Sequence, residues 1–152
     1  MRYIPPFELI KSRVRVSRAK DGAVRVNASY EEVMANARRF HDYARAKGTS
    51  FTFSYCLMRQ NWHEFGDFCL MADSWDSPVW LNTVVQPPQF GIYTLPADEL
   101  RRILVALEAQ APRMASSLKR NRPVWFGELE RIRGRCAAGS AGGVPPRDEG
   151  EG

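Results

Sequence analysis

The chain is poor in the features that most readily betray a function. Among its 152 residues no apolar run approaches the ~20 needed to span a bilayer, and the opening Met1-Arg2-Tyr3-Ile4-Pro5-Pro6 has no apolar signal core. The expectation is a cytoplasmic protein with no membrane partner. Cysteine is scarce: three residues, at 56, 69 and 136, with no C-x-x-C or C-x-x-x-C pair to mark a metal or cluster site. Neither G-x-G-x-x-G nor G-x-x-x-x-G-K-S/T occurs, which excludes the usual dinucleotide and P-loop phosphate cradles. Histidine is limited to His41 and His63, and their spacing from any nucleophile defines no catalytic set. No catalytic residue and no metal ligand is assigned.

Charge is present but unevenly placed. Residues 1–25 hold seven Lys/Arg against two acids, residues 26–112 seven against ten, and residues 113–135 seven against two. The net charge of +5 therefore belongs to the two ends. Basic ends could hold RNA or an acidic protein, and a small accessory or binding module is the alternative reading. Four tryptophans at 62, 75, 80 and 125 are not interleaved with the basic residues, so they read as core packing and nucleic acid as an unlikely partner.

Four segments follow from composition and periodicity. Residues 1–11 form an arm loosened by Pro5-Pro6, and 137–152 (AAGSAGGVPPRDEGEG) a disordered, Gly- and Pro-rich tail. Residues 12–110 alternate strand and helix, and 111–136 carry short basic helices around Pro123. Ser12–Ser17 alternates valine and arginine as a strand, followed by a Lys20-Asp21-Gly22 turn. Ser29 and Glu32 form a capping box ahead of a helix with Val33, Ala37, Phe40 and Ala44 on one face, His41 on the exposed one, and Gly48 at its end. Residues 50–58 (SFTFSYCLM) and 79–85 (VWLNTVV) are apolar on both faces, as strands buried in a parallel sheet are. Asn61 and Glu64 repeat the capping logic between them, and Pro96 with Asp98 and Glu99 opens a helix with a Leu100, Ile103, Leu104, Leu107 stripe.

Strand, helix, strand, helix, strand, helix is an α/β order with parallel pairing. Ligands in such folds gather at the carboxyl ends of the strands. Ser17, the Arg59-Gln60-Asn61 turn, Asn82 and Thr83 occupy that rim. A small enzyme using His63 with Asn82 or Arg59 is a further possibility at the same rim.

The segments SYCLMRQNWHEFGDFCLMA, VWLNTVVQPP, VRVSRAKDG and SYEEVMANARRF carry a resemblance. Together they resemble the C-terminal half of a radical S-adenosylmethionine domain, with 50–85 similar to its fifth and sixth strands and 13–48 to its fourth strand and helix. The resemblance implies a partial parallel β/α barrel of about three βα units. It places Ser17, Asn61 and Asn82 where the family binds its cofactor. The family works with a 4Fe–4S cluster and S-adenosylmethionine, but its C-x-x-x-C-x-x-C loop is missing from this sequence. No cofactor is therefore expected for this chain alone, and independent catalysis is not implied. The expected partner is a complementary N-terminal half-barrel chain, or a second copy of this one.

Overall fold

The structure, a computed structural model, describes residues 30–140. The arm, the Ser12–Ser17 strand with Ser17, the turn after it, Ser29 of the capping box and the tail from residue 141 lie outside the described residues.

Helix α1 (Tyr30–Lys47) begins with Glu31 and Glu32 and ends with Arg45 and Lys47, the charge order that suits its dipole. Gly48 follows at φ 66, the left-handed conformation that a residue without a Cβ adopts most easily. Strand β1 (Phe53–Leu57) is buried at every position. A single 3-10 turn (Trp62–Glu64) leads into α2 (Phe65–Ser74), which returns the chain to β2 (Val79–Thr83). The strands pair in parallel, Phe53 with Val79 through Leu57 with Thr83. A second 3-10 turn (Pro88–Phe90) packs against the strand ends, and Gly91 there comes so close that a Cβ would fall 2.5 Å from the Val84 carbonyl oxygen.

The remainder is a helical hairpin. Helix α3 (Ala97–Ser117) buries Leu100, Ile103, Leu104, Leu107 and Met114. Helix α4 (Arg122–Ser140) buries Trp125, Leu129, Ile132 and Cys136 at steps of three and four. The two run antiparallel: Arg133 pairs with Glu108, and Gly139 reaches Ala97. The core lies between this hairpin, α2 and the inner face of the sheet. There Phe53, Tyr55, Phe65, Met114 and Trp125 are fully buried, and Phe53 and Tyr55 meet Phe68 at ring separations of 5.6 and 4.7 Å.

This corrects the expected half-barrel of three βα units. The described chain is mostly helical, with one sheet of two parallel strands. Strand β2 stops at Thr83, and Val84 and Val85 are not part of it. The C-terminal helices are also long rather than short. Pro112 does not end α3, because it sits on the exposed face, where a missing N–H and a displaced carbonyl remain in solvent. Pro123 falls in the first turn of α4, where it has no hydrogen bond to lose. The last turn of α4 extends to Ser140, into the Gly-rich stretch.

Candidate functional site

The carboxyl ends of β1 and β2 hold the expected rim. Asn61 is buried there, but its side chain closes the strand rather than capping the following turn. Its Oδ1 accepts from the Met58 N–H at 2.8 Å, and its Nδ2 donates to the Cys56 carbonyl at 2.9 Å. The Tyr55 hydroxyl donates to the Asn61 carbonyl at 2.6 Å. Asn82 lies on the neighbouring strand with its Cα opposite Cys56. Its Nδ2 donates to Ser54 Oγ at 2.7 Å and its Oδ1 accepts from the Trp80 indole N–H at 3.1 Å.

Arg59 is committed to the loop beyond β2. Its Nε donates to the Gly91 carbonyl at 2.9 Å and its Nη2 to Thr94 Oγ1 at 3.1 Å. His63 is partly exposed, with Nε2 3.5 Å from Glu64 Oε1. Two acceptors on this rim, Gln60 Oε1 and Glu64 Oε2, are buried without a hydrogen-bond partner. A buried acceptor left in that condition suits a ligand bearing N–H or O–H groups. The Tyr55 phenol beside them is held protonated well above its ordinary range, first by burial and then by the Glu64 charge.

Behind the rim, Arg131 donates to Thr83 Oγ1 at 2.8 Å and lies 3.6 Å from the buried Glu128 carboxylate, which accepts from the Tyr93 hydroxyl. Burial first, and then this bond to Glu128, raise the proton affinity of Tyr93. The arrangement ties α4 to the end of β2. Of the basic residues in 113–135, Arg113, Arg120, Arg131 and Arg133 are in ion pairs with Asp67, Asp76, Glu128, and Glu108 and Glu130, so much of that charge is balanced within the fold.

The cysteines do not assemble. All three are buried thiols, and burial pushes the proton affinity of Cys69 up. Among the described residues no group of three His, Cys, Asp or Glu side chains could hold a metal ion. These residues do not fit a 4Fe–4S cluster.

The amino ends of the strands carry what the sequence reading missed. A cavity of about 350 Å³ opens between the end of α1, the links into both strands and the hairpin turn. Its lining includes His41, Arg45, Phe51, Trp75, Asp76 and Arg120. His41 was expected on an exposed face and is buried instead. The signal was available: 37, 41 and 44 are i, i+4 and i+7, so His41 lies in the stripe between Ala37 and Ala44. Its Nε2–H donates to the Trp75 carbonyl at 2.9 Å, and its ring meets Phe51 and Trp75 edge-on, each at 5.4 Å. Among the described residues no helix is long and apolar enough to cross a membrane. Comparison with family models, with curated proteins and with solved structures finds no match to this chain.

Proposed function

We propose that this chain is a contributing part of a radical S-adenosylmethionine-type enzyme, supplying strand ends to a site whose cluster-bearing residues come from a complementary polypeptide. The observation that carries the reading is the rim itself. Asn61 stands at the carboxyl end of β1 near the two unpartnered acceptors Gln60 Oε1 and Glu64 Oε2, and Asn82 lies toward the carboxyl end of the neighbouring β2. The amino and hydroxyl groups of S-adenosylmethionine are donors of the kind those acceptors lack. The cluster would supply electrons for cleaving the cofactor. This chain's residues would bind and orient the ligand and exclude water from it.

The test is reconstitution with a polypeptide encoded beside this one and carrying C-x-x-x-C-x-x-C. Light scattering should give a mixed complex. Equilibrium dialysis should show S-adenosylmethionine retained by the complex. Asn82→Ala should weaken retention about tenfold, the loss of one good hydrogen bond. A genomic neighbourhood without such a polypeptide, or a mixture that stays as separate chains and retains no ligand, overturns the reading.

A further inference from the structure

We propose that the cavity at the amino ends of β1 and β2 binds a small phosphomonoester with a planar body. It lies at the opposite end of the strands from the rim, and nothing in the preceding proposal requires it.

Four observations converge there. Arg45 lines the cavity, is exposed, and forms no ion pair among the described residues. Arg120 enters from the hairpin turn, and Asp76 takes its Nε at 3.0 Å, which leaves the two terminal nitrogens available for another acceptor. Asp76 itself sits at φ 51, a left-handed conformation uncommon for aspartate, held by its backbone N–H bond to the Asp73 carbonyl at 2.9 Å. Ser50 adds a hydroxyl to the lining, while the hydroxyls of Thr49 and Ser77 donate to the Ala44 and Trp75 carbonyls.

The rest of the lining is aromatic. Phe51 and Trp75 are buried, and their rings lie 6.2 Å apart at 31°. His41 wedges against both, and its bond to the Trp75 carbonyl fixes α1 against this wall. Arg38 lies over the Trp75 ring at 3.7 Å. Two guanidinium forks match the several oxygens and double charge of a phosphate better than a lone carboxylate. An aromatic wall suits a flat apolar body behind that head. The volume of about 350 Å³ falls in the range of metabolite sites.

The residues come from three places far apart in sequence: the end of α1, the α2–β2 link and the α3–α4 turn. A ligand held between them would therefore also tie α1 to the rest of the fold.

The experiment is isothermal titration of the whole chain with adenosine 5′-monophosphate, with inorganic phosphate and adenosine as separate arms. Tryptophan emission is followed in parallel, and melting temperature with and without ligand. The monophosphate should bind, raise the melting temperature and shift the emission, with each half of the molecule binding at least about tenfold more weakly. Arg45→Gln and Arg120→Gln should each weaken binding about tenfold while leaving the melting temperature of the unliganded chain in place, since both side chains are exposed. Inorganic phosphate binding as tightly as the monophosphate removes the planar body from the proposal. No binding at millimolar ligand overturns it outright. So does binding indifferent to both substitutions, or an Arg45→Gln chain that unfolds, which would make Arg45 a structural residue.

Discussion

Strands β1 and β2 have equal lengths and pair residue for residue, yet they occupy different environments. All five side chains of β1 are buried, whereas β2 is buried only at Val79 and leaves Trp80 64% exposed. The inward faces explain half of this. Phe53, Tyr55 and Leu57 point into the same core as Val79, Leu81 and Thr83, but the aromatic residues are all on β1. On the other face, Ser54 and Cys56 of β1 stand beside Trp80 and Asn82 of β2. Asn82 spans the pair to reach Ser54, and the Trp80 indole closes over Asn82. The apolar sequence of both strands therefore does not mean equal burial. In a sheet of two strands both are edges, so what packs over each strand, and not its place in the sheet, decides it.

The strongest way to break the comparison is at β1. Tyr55→Ala removes a fully buried ring packed on Phe65 and Phe68 and the donor to the Asn61 carbonyl. A loss of about 3–5 kcal/mol is expected in urea unfolding. The core around this strand should weaken in alkali. Burial raises the proton affinities of Tyr55 and of Cys69 packed in the same core. Both groups are protonated in either state at neutral pH, so their contribution is complete there. Above the ordinary values of 9.0 for the thiol and 10.0 for the phenol, the unfolded chain ionises first. Stability should then fall by up to ~1.4 kcal/mol per pH unit for each group. A urea midpoint flat from pH 9 to 11 would contradict this.

The amino end of β2 is held from a distance. Asn121 Oδ1 accepts from the Val79 N–H at 2.7 Å, while its Nδ2 donates to the Ser77 carbonyl at 2.9 Å and to Asp73 at 2.8 Å. Asp73 also accepts from the backbone N–H groups of Lys119 and Asn121. Asn121→Ala takes the side-chain partner from the buried Val79 N–H and Ser77 carbonyl while Asp73 keeps its two backbone donors, and about 2–4 kcal/mol should be lost. Asn121→Asp should not restore it, because a carboxylate can accept from Val79 but cannot donate to Ser77 and would face Asp73.

Local chemistry was legible in the sequence where neighbours along the chain decide it. The α3 stripe of Leu100, Ile103, Leu104 and Leu107, the Gly48 stop and the β1 residues follow from spacing and side-chain type. The sequence marks Asn61 as a residue with a local hydrogen-bonding task. Its choice between capping a helix and closing a strand depends on whether the Met58 N–H or the turn's own N–H groups lie closer, which spacing does not encode. The continuation of α3 through Pro112 depends on which face the proline occupies. The Asn121 junction and the cavity join positions more than thirty residues apart, such as His41 with Trp75 and Asn121 with Val79, and periodicity carries no record of such meetings. The half-barrel expectation failed for a related reason. Alternating apolar segments show that strands and helices follow one another, but not how many strands one sheet receives.

The smallest effect is expected at Trp80, the exposed counterpart of Ser54. Trp80→Thr puts a β-branched side chain on the strand and removes a ring that is 64% exposed, along with its hydrogen bond to Asn82. Asn82 retains Ser54 and gains solvent in place of the indole, so stability should change by no more than about 0.5 kcal/mol. Association should respond differently. A tryptophan standing out from an edge strand beside the exposed Val85 is the kind of anchor that protein interfaces bury. If β2 faces a complementary polypeptide, Trp80→Thr should weaken the mixed complex at least about tenfold while the isolated chain unfolds at an unchanged urea concentration. An equal loss in folding and in association would place Trp80 with β1 after all, as a core residue of this chain rather than a contact for another.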